Sequence, residues 1–216
     1  MPTSENEIAV AVEAARAEAV KCGRIAPDAP ARKPEISLTR IGFGKRHDFS
    51  GWDSWRISSQ ANHDFYDRCN AFVSLWDGKR GLYIHGEPGT GKTHMVALMA
   101  RELLVARNQN YDVRRVHILE LLQKIRESFD FRESDIVERC ENYRLLIIDD
   151  IGTERPTEWV RETLNLIVNH RYEAMLPTWF TSNLSLDGIS AALGDRIASR
   201  IVETCEIIST DGLGDY

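Results

Sequence analysis

The chain has little cysteine, and what it has is scattered. Cys22, Cys69, Cys140 and Cys205 are the only four in 216 residues, with no C-x₂-C pair among them. That spacing fits neither a zinc site nor a disulfide framework, so reduced thiols are expected. Long apolar runs are missing too: none approaches the roughly 20 residues that span a bilayer. No basic-then-apolar leader opens the chain. A cytoplasmic protein without a membrane partner is expected. Nor is there an excess of positive charge. A net charge of −6 argues against a broad, purely electrostatic grip on nucleic acid, although a local basic or aromatic strip stays open. No internal repeat is visible. What is present is ordinary for a globular chain: 43% hydrophobic and 28% charged, with the length of one full domain plus an extension.

Residues 1–36 differ from the rest. Ser4 and Glu7 have capping-box spacing ahead of an alanine-rich, helix-like stretch over residues 8–20. A proline- and alanine-rich linker follows over 25–36. The expectation is a short helical arm used for interaction, tethered to a domain spanning 37–216. The bland alternative is a frayed terminus. The core is expected to start near residues 49–52. Helical apolar spacing at Phe65, Cys69, Phe72 and Leu75 predicts a helix within 59–76. Strands are then predicted at 81–85, 113–118, 144–149, 178–182 and 205–209. Helices are predicted at 91–107, 119–129, 135–142, 156–172, 186–193 and 195–202. This alternation predicts an α/β fold with a five-stranded parallel sheet between helices.

Residues 86–93 read GEPGTGKT, between the first predicted strand and a helix. This is the G-x-x-x-x-G-K-[ST] pattern in the context it requires. Glycines at 86, 89 and 91 let the backbone turn sharply and approach phosphates. The N–H groups of Gly86, Glu87, Gly89, Thr90, Gly91, Lys92, Thr93 and His94, shaped by Pro88, then form an anion cradle at a helix N-terminus. Lys92 is expected to reach the β- and γ-phosphates and Thr93 to hold Mg²⁺. A chance glycine turn is the alternative.

The predicted strand at 144–149 is apolar and ends in Asp149 and Asp150. With a phosphate loop present, Asp149 is the candidate Mg²⁺ partner. Asp150 is the candidate for polarising an attacking water, or else a turn residue before Gly152. The triplet Thr181-Ser182-Asn183 closes another strand. Asn183 is the favoured γ-phosphate sensor, against ordinary turn chemistry. Arg196 and Arg200 lie four apart on one helical face. They form either a solvated pair or a source of positive charge for a neighbouring subunit's site, with Arg200 favoured.

The motifs GEPGTGKTHM, LLIIDDIGTE, NHRYEAMLPTWFTSNLS and LGDRIASRI, in this order, resemble the AAA+ ATPases of the DnaC/DnaI-type replicative helicase loader family. The resemblance covers about residues 45–216. It implies an AAA+ P-loop domain, ATP and Mg²⁺ as ligands, and slow ATP hydrolysis stimulated by DNA or a partner. It implies a hexameric replicative DNA helicase as partner, placed on single-stranded DNA in a bacterial or phage-infected cell. It also implies self-assembly into an ATP-dependent spiral or ring. By resemblance Lys92 and Thr93 are Walker A residues, Asp149 and Asp150 Walker B residues, Asn183 sensor I, and Arg200 the trans-acting arginine. Asp150 stands where many AAA+ proteins have Glu, which implies looser water positioning. The resemblance also implies a reduced form without the separate helical lid of larger AAA+ proteins.

Aromatic and basic residues interleave over 124–134, with Phe129 and Arg132 as candidate contacts to single-stranded DNA. Thr157 and Trp159 are further candidates. Packing of these aromatics in the core is the alternative. Competing readings are an IstB-type transposition helper and an ATP-responsive adaptor with little hydrolysis. A small-molecule kinase would want an acceptor pocket and lid. A GTPase would want N-K-x-D, which the chain lacks.

Overall fold

A computed structural model describes residues 36–48, 51–107, 111–127 and 132–216, the side chains of 132–134 excepted. The arm at 1–35 and Phe129 lie outside the described residues.

Five strands form one sheet: β1 (Gly81–His85), β2 (Val113–His117), β3 (Leu145–Ile151), β4 (Thr178–Ser182) and β5 (Cys205–Ser209). Their spatial order is β2-β3-β4-β1-β5, and every pairing is parallel. The helices are α1 (Gln60–Ser74), α2 (Lys92–Ala106), α3 (Ile118–Glu127), α4 (Arg132–Asn142), α5 (Glu158–Glu173), α6 (Leu186–Leu193) and α7 (Asp195–Thr204). The predicted five-stranded parallel α/β fold is the one observed. Among the described residues, those after β5 form turns and no helix.

Both faces of the sheet are covered, which is why its strands read as unbroken apolar runs. Leu82, Ile84, Leu145, Ile147 and Trp179 point into one core beneath α1 and α2. Their neighbours Tyr83, Leu146, Ile148 and Phe180 point into the other, beneath α3 to α7. The two periods meet in β3, where every residue but Asp150 is buried. Buried thiols fill gaps in these cores. Burial pushes Cys140 up to about 11 and Cys205 up to about 12, which keeps them protonated and inert.

The core begins earlier than the proline-rich composition implied. Ile36, Leu38, Ile41 and Phe43 are all buried in the first core. Short 3₁₀ turns at Leu38–Ile41 and Lys45–His47 lay this segment against β2, and the Leu38 N–H donates to Asp48 Oδ1 at 2.7 Å. Gly42 allows the close approach: its φ is 105°, and a Cβ there would sit 2.2 Å from the Arg115 carbonyl oxygen. Several element boundaries also move. β3 runs on to Ile151, past Asp149, because a register shift between Ile148 and Ile151 lets the chain rejoin β4. α5 starts at Glu158, after Pro156, because Thr157 is its cap: the Thr157 side chain accepts from Val160 N. α4 starts three residues earlier than its predicted 135.

Candidate nucleotide site

In a parallel sheet, ligands bind beyond the carboxyl ends of the strands, where the strand order reverses. Here that place is the end of β1, which lies between β4 and β5. Residues 86–93 leave β1 at this point. Gly86, Gly89 and Gly91 have φ of 139°, 86° and 83°, a path that side chains with a Cβ rarely follow. Gly91 caps α2, so the first N–H groups of that helix face out of the loop. Thr90 Oγ1 donates to Glu87 O at 2.9 Å and lies 2.9 Å from Thr210 Oγ1, tying the loop to the end of β5. Glu87 and Pro88 stand exposed at its lip.

Lys92 is buried and folded back over the loop. Its Nζ donates to the carbonyls of Gly86 and Glu87, each at 2.7 Å. Burial lowers its pKa, opposed by Asp150, Glu87 and Asp149. The two carbonyls stand where a phosphate oxygen would offer full charge, so the ammonium is already within the loop.

Asp149 is the hub of the site. It is 2% exposed, and its oxygens divide the work. Oδ1 accepts from Thr93 Oγ1 at 3.0 Å and from Thr181 Oγ1 at 2.5 Å. Oδ2 accepts from Arg115 Nη2 at 2.5 Å. Asp150 follows with φ 69°, which swings its carboxylate out of the strand register. Its N–H donates to Thr181 Oγ1 at 2.9 Å, and Oδ2 lies 3.7 Å from His117 Nε2. Asp150 is half-exposed beside the loop lysine, where a water has access.

These residues fit a magnesium–triphosphate. The Thr93 hydroxyl gives its proton to Asp149 and keeps lone pairs for a cation. Among the described residues no group of three or more His, Cys, Asp or Glu gathers into a metal cage. A divalent ion here therefore requires phosphate oxygens alongside Thr93 and Asp149, the usual manner for Mg²⁺.

The structure brings together residues 86–93, Asp149 and Asp150. Asn183 follows directly after β4, and its side chain makes no hydrogen bond among the described residues. The strand residue that reaches the carboxylate is Thr181, which alternation places on the same face as Trp179 and the α2 core. That periodicity was available in the sequence. His94 turns away from the loop, its ring 5.9 Å from Trp55 and 5.0 Å from Tyr216. Trp55 and Tyr216 stack on each other at 4.4 Å and lie flat against Gly91. The Tyr216 N–H donates to Gly89 O at 2.9 Å. No sequence signal marked Trp55, Tyr216 or Arg115.

Arg196 and Arg200 do not reach this site. Arg196 Nη2 donates to Asn169 Oδ1 on α5 at 3.0 Å. The Arg200 guanidinium lies 3.7 Å from the Tyr172 ring centre and 3.6 Å from Glu203 Oε2. It lines a cavity of about 410 Å³ with Lys79, Pro177 and Thr178, which precede or begin β1 and β4. That is the amino end of these strands, opposite the end that carries the loop. Trp159 is half-buried against the second core, with the Arg126 guanidinium 5.0 Å from its ring centre.

The profile of the family described as "IstB-like ATP binding protein" matches residues 54–214. This chain belongs to the IstB-like ATP binding protein family. The matched span holds the loop, both acidic residues, Thr181 and the arginine pair, and leaves out residues 36–53. Replicative helicase loader DnaC of Escherichia coli K12 is 23% identical to this family member over 187 residues, 85% of this chain and 75% of its own. Replicative helicase loader DnaI of Bacillus subtilis is 36% identical over 110 residues, 50% of this chain and 34% of its own. The crystal structure of the DnaC helicase loader superposes with a TM-score of 0.67 at 23% identity, over 77% of this chain and 99% of that one. AMPPCP-bound DnaA from Aquifex aeolicus superposes with a TM-score of 0.60 at 20% identity, over 73% of this chain and 50% of that one. These two structural likenesses establish the fold, a five-stranded parallel sheet between helices.

Proposed function

We propose that this IstB-like protein is an ATP-dependent loader that binds a hexameric replicative helicase and helps place it on single-stranded DNA. The observation that carries the ATPase part is the Thr93–Asp149–Thr181 contact beside Lys92. It supports a site for ATP with Mg²⁺, in which Thr93 and Asp149 hold the metal and Lys92 meets the phosphates. The metal supplies charge neutralisation on the phosphate oxygens. Asp150 orients the attacking water. Its carboxylate is one methylene shorter than Glu, so turnover is slow. Asn183 senses the γ-phosphate from the end of β4.

The remote position of Arg200 supports assembly into a spiral or ring, because a positive group for the transition state must then come from a neighbouring protomer. The loader role is favoured by relatives that bear that name over most of both chains. Residues 1–35 are assigned to helicase docking, and Phe129, Arg132, Thr157 and Trp159 to single-stranded DNA. A cytoplasmic location follows from this role.

The test is co-purification of the chain, with and without residues 1–35, against the replicative helicase of its host. Capture that depends on those residues is expected, together with ATP turnover that rises on adding single-stranded DNA. Failure to bind the helicase in either form overturns the loader reading. The family description favours one second reading, a transposition helper acting with a transposase on duplex DNA. Capture of the cognate transposase in place of the helicase selects it.

A further inference from the structure

We propose that Arg115 is a positioning residue of the nucleotide site, acting through Asp149 to set how much divalent cation the site requires. The proposal rests on reading residues 86–93 and Asp149 as a site for a metal-bound triphosphate.

Arg115 stands on β2, the edge strand, directly across from Ile147. Strand alternation puts it on the same face as Ile147 and Asp149, the face that packs against α2 and Thr93. Asp149 is its diagonal neighbour, within reach of a long side chain. The guanidinium is aimed and held. Nη1 donates to Gly42 O at 3.2 Å, and the group lies 5.6 Å from the centre of the Phe43 ring. Nη2 then meets Asp149 Oδ2. The two side chains are 11% and 3% exposed, so water screens the pair weakly. The segment 36–48, which precedes the expected start of the core at 49–52, is what closes over this arginine.

The division of the Asp149 oxygens has a chemical consequence. A cation held by Thr93 approaches on the Oδ1 side, where the hydroxyls of Thr93 and Thr181 already converge. Direct coordination by Oδ2 would require breaking a charge-assisted, buried hydrogen bond. Arg115 therefore leaves only Oδ1 of Asp149 to face a metal, and that same oxygen would orient the Thr93 hydroxyl beside it. Its fixed positive charge also offsets the pull of Asp149 and Asp150 on a divalent ion. The same charge attracts a nucleotide that carries no metal. Removing it has two effects of opposite sign: metal is recruited more easily, and metal-free nucleotide is bound less well. Loss of a purely structural contact would not produce this pair of signs.

The experiment measures binding of a fluorescent ATP analogue, in EDTA and across a Mg²⁺ titration, without reading hydrolysis. Arg115→Gln keeps an amide donor for Asp149 and Gly42 while removing the charge. Its Mg²⁺ midpoint is expected to fall by about tenfold and its affinity in EDTA to fall by a similar factor, the scale of one weakly screened charge a few ångströms away. Arg115→Lys keeps the charge and is expected to stay within about twofold of the parent on both readings. An unchanged Mg²⁺ midpoint in folded Arg115→Gln overturns the proposal, as does a Lys variant that shifts as far as the Gln variant. A parent chain that binds no analogue at any Mg²⁺ concentration sinks the triphosphate site itself, a different result from either of these.

Discussion

Thr181 and Thr93 meet at one oxygen. Thr181, at the end of β4, donates to Asp149 Oδ1 at 2.5 Å, the same atom that takes the Thr93 hydroxyl at 3.0 Å. Thr181 Oγ1 also accepts the Asp150 N–H. One hydroxyl thus ties the Asp149 carboxylate to the backbone of Asp150, and sets both against the loop.

Thr181→Val keeps the shape and removes the hydroxyl. It leaves Asp149 short of one donor and the Asp150 N–H without its acceptor. A loss of about 1–3 kcal/mol in urea or thermal melts is expected. Turnover should fall more than nucleotide affinity, since Lys92 and the loop amides are untouched. Equal stability and equal turnover would show that the hub is not set by Thr181.

Arg200→Ala should leave nucleotide binding by a single protomer intact, because Arg200 contacts Tyr172 and Glu203 near the amino ends of β1 and β4, away from the loop. Steady-state hydrolysis should fall by at least about 10³-fold. Mixing Arg200→Ala with Lys92→Ala should restore part of the rate, since one variant brings the loop and the other the arginine. No recovery over a range of mixing ratios counts against a shared site.

His47 predicts a weakness in acid. It is 6% exposed, and its pKa is lowered to about 4, chiefly by burial, then by Arg46 and His94. The folded state therefore resists a proton that the unfolded chain takes up near pH 6.5. Below pH 6.5 the unfolded state binds more protons, so stability falls as pH drops from about 6.5 towards about 4. The expected loss from this residue is about 1–3 kcal/mol. Urea melts at pH 4.5 and 7 should show a smaller gap for His47→Gln than for the parent. An equal gap would assign the acid sensitivity elsewhere.

Trp159→Ala tests the proposed contact with single-stranded DNA. The expected loss of affinity is about 1–3 kcal/mol, with nucleotide binding kept. Because Trp159 also packs on the second core, Trp159→Phe serves as the control: it fills the space and keeps a stacking face, so DNA binding should largely return. Parent-like DNA affinity in the Ala variant would remove Trp159 from the interface.

The fold was legible where the pattern is local. All five strands and all seven helices of the described residues occur where apolar spacing put them, with ends displaced by one to three residues at most positions. The displaced ends have tertiary causes. β3 continues past Asp149 because β4 is there to rejoin. α5 waits for Thr157 because that hydroxyl caps it. Ile36 to Phe43 were hidden because their apolar character is shared with a proline-rich neighbour, and only the edge of β2 gives them something to cover.

By itself the sequence determined the glycine-rich loop, the two carboxylates near the end of β3, and the parallel sheet that carries them. Each is written in contiguous residues, where glycine conformations, strand length and apolar runs follow from local covalent chemistry. Tertiary structure alone decided which side chains complete the hub. Arg115, Thr181 and Gly42 reach Asp149 or its partner from separate segments, through strand register and a folded-back turn, and no spacing along the chain encodes those distances. The same holds for Arg196 and Arg200. Their pairing on one face is a property of the helix, but their distance from the loop depends on which end of the strands that helix packs against.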